Sequence, residues 1–155
     1  MTPDEAREFV ANNHRAVMVT RRSAGGLQTS PVTVGIDSDG KVVVSSRETA
    51  YKVRNLRRHP TATLCVFTDD FFGPWVQIEG AVEIVPLPTA MDWLIDYYRR
   101  ISGEHPDWDD YRRAMLEQRR VLIRLAIDNV GPTHAGEPQP QAGYGASPRP
   151  SSVVL

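Results

Sequence analysis

Residues 44–60 read VSSRETAYKVRNLRRHP, which predicts a strand that ends in two serines and passes into a short basic helix. The first N–H groups of a helix have no partners within the helix and carry partial positive charge, so a cation there is unfavourable unless an anion compensates it. Lys52 nevertheless lies in the first turn, Arg47 lies just before it, and Ser45 and Ser46 add hydroxyl donors. These parts are typical of a phosphate-binding site at a helix start.

The same helix also fits a simpler interpretation, in which its basic residues form a solvated face. At helical spacing, Val53 and Leu56 fall on the buried side and Lys52 at its border. Thr49 is the predicted N-cap, and the carboxylate of Glu48 could satisfy the helix dipole without a ligand. The sequence alone leaves both interpretations open. The polar side of the helix carries Tyr51, Arg54, Asn55 and Arg58.

Length, charge and composition narrow the class of protein. The 155 residues fit one domain, and a net charge of −1 gives no overall field that favours nucleic acid or anionic membrane. The single cysteine, Cys65, excludes an intramolecular disulfide and is interpreted as a core residue in a reducing compartment. No apolar stretch approaches the ~20 residues needed to span a bilayer, and the N-terminus lacks a signal-peptide pattern. We therefore expect a cytoplasmic protein without nucleic-acid or membrane partners.

Hydrophobic periodicity and turn residues predict a mainly antiparallel β-structure with peripheral helices. Thr2 and Glu5 form a capping box for a first helix over residues 3–12. Six strands joined mainly by hairpins favour a small barrel over residues 1–131. Residues 132–155 are rich in proline, glycine and serine, and we expect a disordered tail there. The predicted strands are 16–22, 27–36, 41–46, 61–68, 75–85 and 121–130, and the further helices are 89–101 and 108–119.

The order of these elements and their motifs resembles a known family. A hairpin, the SSRETAYKVRNLRRHP helix, the EGAVEIV strand and the GEHPDWDDYRRAM helix are similar to the split-barrel flavin-binding proteins related to pyridoxamine 5′-phosphate oxidase. Within that family, NLRRHP together with GEHPDWDDYRRAM and RRVLIRL resembles actinobacterial reductases that use the deazaflavin coenzyme F420. The resemblance covers about residues 3–131. It implies a homodimer of six-stranded antiparallel split barrels, with the cofactor bound in grooves at the dimer interface.

The resemblance also assigns residues to the site. The family's phosphate-binding lysine falls on Lys52, beside strand-end donors at Ser45, Ser46 and Arg47. Close relatives carry a second basic residue where this chain has Ala50, so Arg47 would supply that charge. The other assigned cofactor-binding residues are Gln28, Ser30, Pro31, Val32 and Asn55, with Met18 and Val32 against the ring system. The candidate substrate wall is Tyr51, Trp75 and Trp108, with ordinary core or interface packing as the alternative for the two tryptophans.

The predicted function is that of an F420-dependent oxidoreductase that passes a hydride to an activated double bond of a small-molecule acceptor. The acceptor is an enone, a quinone or a tetrapyrrole-like molecule. No side-chain nucleophile is needed, and Tyr51 or solvent donates the proton. The four histidines are too scattered for a metal site, so we expect no metal. The alternatives are an FMN-dependent enzyme, either a pyridoxamine phosphate oxidase or a flavin reductase, and a non-catalytic F420 carrier.

Overall fold

Eight strands and four helices make up residues 1–135, the part of the chain that the computed structural model describes. The mainly antiparallel β-structure with peripheral helices is confirmed. The helices are α1 (Pro3–Asn12), α2 (Tyr51–Arg58), α3 (Ala90–Ser102) and α4 (Trp108–Glu117). The strands are β1 (Arg15–Arg21), β2 (Leu27–Thr33), β3 (Gly35–Ile36), β4 (Val42–Arg47), β5 (Thr61–Phe67), β6 (Trp75–Val85), β7 (Arg120–Leu125) and β8 (Asn129–His134).

The long strand β6 joins two antiparallel sheets. The strands pair in the order β2-β1-β5-β6-β7-β4-β3, and β8 adds to β6 off this path. The first part of β6 pairs with β5, where Trp75 lies opposite Phe67, and its last part pairs with β7, where Val85 lies opposite Leu122. Because one strand serves both sheets, the structure curls into a half-barrel. In this arrangement α2 follows the last residue of β4 and precedes the first residue of β5, and the first residue of β7 lies beside the loop that leads into α2.

The hydrophobic core has two parts, on opposite faces of β4 and β7. Val44 points into the barrel interior, where it packs in one cluster with Met18, a residue with no exposed surface. Successive strand residues point to opposite faces, so Val43 and Leu122 pack outward instead. They form the second cluster with Tyr97 and other residues of α3 and α4. This double burial explains why β4 and β7 read as nearly continuous apolar runs.

Three helix ends follow the predicted capping residues. Glu5 N donates to Thr2 Oγ1 at 3.1 Å and Thr2 N donates to Glu5 Oε2 at 3.2 Å, which completes the capping box of α1. Gly103 ends α3 with a positive φ of 78°, a conformation that glycine adopts without a steric penalty. Asp107 caps α4 by accepting from Asp110 N at 3.1 Å. Within residues 1–135, none of the four helices is long and apolar enough to cross a lipid bilayer.

Two strand predictions need correction, so eight strands replace the predicted six. Residues 121–130 form two strands, because the chain turns between β7 and β8 where Asp128 Oδ2 accepts from Ala81 N at 2.8 Å. The predicted strand 27–36 is divided at Val34 into β2 and β3. β8 reaches His134, beyond the predicted domain boundary at residue 131. The rest of the predicted tail, residues 136–155, lies outside the described residues.

The start of α2 also differs from its prediction. Its N-cap is Ala50 rather than Thr49, and no side chain caps it. The predicted polar side is wrong for Asn55, which is only 5% exposed because it packs toward β1, whereas Tyr51 is 74% exposed. The first turn contains no acidic residue. Neither a side-chain cap nor a carboxylate in that turn therefore offsets the positive end of α2.

Candidate functional site

A cleft of about 560 Å³ opens beside the start of α2. On the side of β1, β2 and β5, its wall consists of the apolar residues Ala16, Pro31, Val32 and Phe67 together with Arg15 and Thr33. On the side of β4, β7 and α2, its wall is polar and cationic. That second wall is formed by Ser45, Ser46, Arg47, Lys52 and Arg120. The cleft thus combines an apolar surface with a group of positive charges.

Backbone geometry brings together three of the four cationic residues that line the cleft, and the fourth, Arg15, is paired with Asp69. Arg47 and Arg120 are paired positions of β4 and β7, so their side chains leave the sheet on the same face. Arg119 has a φ of 52°, the only positive φ at a non-glycine residue within residues 1–135, and it turns the chain from α4 into β7. Lys52 adds a third charge from the first turn of α2. We call Arg47, Lys52 and Arg120 the cation group.

The members of the cation group repel one another. Burial lowers the pKa of Lys52, and the neighbouring Arg120 lowers it further. Burial likewise lowers the pKa of Arg120, with a second contribution from Arg47. Among the described residues, no ion pair includes any of the three. Like charges at paired strand positions are destabilising, so the group is unfavourable without a bound anion.

Glu48 does not supply the missing negative charge. Its carboxylate accepts from Arg119 Nη2 at 2.7 Å and lies 3.8 Å from Arg57 Nη2. Its backbone N–H donates to the Arg119 carbonyl at 2.9 Å, which holds the strand end against the α4–β7 turn. Glu48 is therefore engaged with two other arginines. The interpretation in which this residue neutralises the helix start without a ligand loses its support.

One buried polar side-chain atom of the cleft also lacks a hydrogen-bond partner within residues 1–135. The buried hydroxyl of Ser45 has no hydrogen-bond partner among the described residues, although Ser45 lines the cleft. The neighbouring Tyr97 hydroxyl is engaged, because it donates to the Thr33 carbonyl at 2.8 Å, and burial raises its pKa. A buried hydroxyl without a partner costs free energy. Uncompensated cations beside a free hydroxyl donor fit an anionic group with several acceptor oxygens, such as a phosphate.

Comparison with known proteins places the chain in a family. Residues 2–134 match the family model for pyridoxamine 5′-phosphate oxidase. The chain belongs to this family. A conserved hypothetical protein from Mycobacterium tuberculosis has the same fold, with a TM-score of 0.73 and 21% identity over 94% of each chain.

Two further solved structures have the same fold as this member of the pyridoxamine 5′-phosphate oxidase family. An F420 reductase matches with a TM-score of 0.61 and 21% identity, over 81% of this chain and 94% of that one. A heme binding protein from Mycobacterium smegmatis matches with a TM-score of 0.67 and 18% identity, over 88% of this chain and 55% of that one. At these identities the likeness establishes the split-barrel fold alone.

Six of the predicted cofactor-binding residues of this family member lie together in the cleft wall. They are Pro31, Val32, Ser45, Ser46, Arg47 and Lys52. Ser46 is almost fully buried and donates weakly to the Arg47 carbonyl at 3.5 Å, so its hydroxyl is directed at the backbone. Sequence reasoning missed Arg120, Tyr97 and Phe67, which line the same cleft. The signal for Arg120 was its place at the start of the RVLIRL strand, which pairs with the serine-containing strand.

Four other predicted cofactor residues do not line the cleft. Asn55 and Gln28 are joined through Thr20, because Asn55 Nδ2 donates to Thr20 Oγ1 at 3.1 Å and Thr20 Oγ1 donates to Gln28 Oε1 at 3.0 Å. This chain of hydrogen bonds ties α2 to β1 and β2. Met18 is a core residue, and the buried Ser30 hydroxyl has no partner among the described residues. A cofactor role for these four stays a prediction.

The predicted substrate wall is dispersed over the molecule. Tyr51 is exposed on α2 and does not line the cleft, so its role as proton donor stays a prediction. Trp108 packs edge-on against Tyr98 and Tyr111, between α3 and α4. Trp75 lies opposite Phe67 in the β5–β6 register, one strand away from the cleft wall. Of the three, Trp75 is thus next to a residue that lines the cleft.

Cys65 and the acidic and histidine residues offer no separate chemistry. Cys65 is half-buried on β5 and belongs to neither core cluster, so its prediction as a core residue is wrong. Burial raises the pKa of its thiol, which disfavours the nucleophilic thiolate. Within residues 1–135, no three side chains of histidine, cysteine, aspartate or glutamate come together as a metal site would require. The cleft beside α2 is therefore the candidate site.

The burial of Lys52 beside Arg120 predicts that stability depends on pH. The pKa of Lys52 is lower in the folded protein than its ordinary 10.5, so the unfolded chain binds this proton more tightly. The free energy of unfolding therefore rises with pH between these two values. Without ligand, Lys52→Gln should be more stable than wild type at neutral pH, and the difference should shrink towards about pH 10. Urea midpoints of both proteins at the two pH values measure this, and an unchanged difference would contradict it.

Proposed function

We propose that this protein is an oxidoreductase that binds coenzyme F420 in the cleft beside α2 and reduces an activated double bond. The observation that carries the proposal is the uncompensated cation group of Arg47, Lys52 and Arg120 beside the partnerless Ser45 hydroxyl. A phosphoryl group would satisfy both features, since it brings negative charge and several acceptor oxygens. Membership of a family named for a flavin-type oxidase and the F420 reductase among its structural neighbours support this choice of coenzyme.

The two walls of the cleft would bind different parts of the coenzyme. The cation group and Ser45 would hold the phosphate, while Pro31 and Val32 would pack against the planar ring system. Reduced deazaflavin supplies a hydride, so the protein needs no nucleophile and contributes binding, orientation and the exclusion of water. The single proton that completes the reduction after hydride transfer would come from solvent or from Tyr51. The acceptor is an enone, a quinone or a tetrapyrrole-like molecule.

FMN is the second candidate coenzyme, and the same cation group favours it. Its phosphate is a monoester that carries close to two negative charges at neutral pH, as phosphomonoesters do. Three cations without carboxylate partners would balance such a dianion well. The phosphate wall alone therefore accepts either coenzyme, and a direct comparison of the two is required.

We also propose that the protein acts as a homodimer. Val17, Val19 and Cys65 alternate along β1 and β5 with interior residues, are only partly buried, and belong to neither core cluster. A second copy packed on this outer sheet face would bury them, and most oligomers of soluble proteins are symmetric dimers of this kind. The cleft wall residues Arg15 and Phe67 lie on the same two strands. A dimer would therefore place a partner surface close to the cleft.

Titration of the purified protein with oxidised F420 and, separately, with FMN tests the proposal. We expect saturable binding of one F420 per chain, and oxidation of reduced F420 when menadione or an enone is added. Sedimentation of the same samples should give the mass of a dimer. FMN binding without F420 binding would favour the second candidate, and F420 binding without turnover across several acceptors would favour a carrier. Binding of neither coenzyme would refute the proposed function.

A further inference from the structure

The loop between β5 and β6, residues 68–74, carries two exposed phenylalanines. Phe71 is 74% exposed and Phe72 is 71% exposed. Each ring would gain a favourable transfer free energy on burial, so two adjacent exposed rings form an apolar surface that a ligand can cover.

The loop holds these rings in place through its own hydrogen bonds. Thr68 Oγ1 and Gly73 N both donate to the Asp70 carbonyl at 2.9 Å, and Phe72 N donates to Asp70 Oδ1 at 3.2 Å. A Cβ at Gly73 would come within 2.5 Å of Thr68 Oγ1, so a larger residue there would displace the Thr68 side chain. Arg15 Nε donates to Asp69 Oδ1 at 2.7 Å and ties the loop to β1. These hydrogen bonds hold the loop in a conformation in which both phenylalanine rings are exposed to solvent.

The exposed rings continue the apolar wall of the cleft. Phe67 lines the cleft, and its ring packs edge-on against Phe71 with centroids 6.5 Å apart. Phe71 packs in the same manner against Phe72 at 5.0 Å. Arg15, which anchors the loop, also lines the cleft. We call Phe67, Phe71 and Phe72 the aromatic rim, and it runs from the cleft wall to the protein surface.

We propose that the aromatic rim is the acceptor subsite and that the acceptor is a planar, largely apolar molecule, such as a fused-ring quinone. This inference rests on the proposed function, in which the coenzyme ring packs on the apolar wall that the rim extends. The opposite wall is cationic and is used by the phosphate. A flat uncharged acceptor would therefore stack on the rim and lie beside the coenzyme ring.

The Phe71→Ala/Phe72→Ala double variant tests the subsite. Both rings are exposed, so the fold should tolerate the change. We expect the KM for menadione to rise at least about tenfold, because the lost apolar contact is worth that much or more, while F420 affinity stays unchanged. Binding of menadione to the protein loaded with oxidised F420, measured by calorimetry without turnover, should weaken equally. Leu116→Ala is the matched control, since Leu116 is 57% exposed on α4 and does not line the cleft.

The outcomes separate this inference from the proposed function. If wild type binds F420 and turns over, but the double variant keeps its KM and its menadione affinity, the acceptor subsite alone is refuted. If the double variant becomes monomeric with unchanged menadione binding, the rim is a contact between copies of this chain and the inference also fails. If wild type binds no coenzyme, the proposed function fails and the subsite fails with it.

Discussion

The Lys52→Gln/Arg120→Gln double variant should lose measurable coenzyme binding and, without coenzyme, should be more stable than wild type. Each charge-assisted hydrogen bond to a phosphate contributes roughly 1.5–3 kcal/mol, so loss of two should weaken binding by at least about a hundredfold. In the unliganded protein, burial and, to a smaller extent, neighbouring like charges lower the pKa values of Lys52 and Arg120. Removal of both charges relieves the cost of burying them and their mutual repulsion. The opposite signs of the two effects distinguish a binding site from a structural cluster.

Fluorescence titration with F420 and urea unfolding without it measure the two effects on the same preparations. Arg54→Gln/Arg112→Gln is a matched control, because it removes the same net charge from exposed positions that do not line the cleft. The control should change neither quantity by more than a few tenths of a kcal/mol. If the double variant loses stability together with binding, the cations serve the fold. If it binds the coenzyme as wild type does, neither residue belongs to the site.

Elements that are governed by neighbours in sequence were predictable. Thr2, Gly103 and Asp107 located the ends of three helices because a capping side chain or a positive φ acts within a few residues. The strand β6 was predicted at its observed bounds because the loop DDFFGP precedes it and Pro86 follows it. Local chemistry decided all of these positions. No distant contact was needed to find them.

Elements that depend on distant contacts were not predictable in the same way. The break between β7 and β8 falls at residues 126–128, and it is set by hydrogen bonds of Ala126 and Asp128 to β6. Asn55 has the polarity of a surface residue but is buried by its bond to Thr20. Tertiary contacts overrode the local pattern in both cases. Sequence periodicity alone does not predict such tertiary contacts.

In the candidate site too, residues that are close in sequence were predictable and a residue brought in by strand pairing was not. Ser45, Arg47 and Lys52 are close in sequence, so their convergence followed from a strand that leads into a helix. Arg120 joins them only because β7 pairs with β4 in a register that places it opposite Arg47. That register depends on the whole half-barrel. The structure therefore supplies, from β7, a further positive charge beside Arg47 and Lys52.

Replacement of Arg124 with methionine should destabilise the protein by about 3–5 kcal/mol, the usual cost of breaking a buried charge network. Arg124 is 7% exposed and donates to Asp37 Oδ2 at 2.8 Å, to Glu83 Oε2 at 3.0 Å and to Asp39, while it stacks over Trp93. Burial alone would lower the pKa of Arg124, but its hydrogen bond to Asp37 and the neighbouring acids raise it. The guanidinium therefore stays charged and balances these carboxylates.

The cost arises chiefly at Asp37, which is 3% exposed and would be left without its counterion. Thermal unfolding should shift downward by about 6–20 °C, given about 2–4 °C per kcal/mol for a chain of this size. Arg100→Met is the control, since its partner Asp96 is at the surface and such pairs contribute about 0–1 kcal/mol.

Asp37→Asn in the Arg124→Met background should recover part of the loss, because an amide needs no counterion and its oxygen can still accept from Asp39 N and Lys41 N. A loss no larger than that of the control, or no recovery by Asp37→Asn, would show that the buried carboxylate is not the source of the effect.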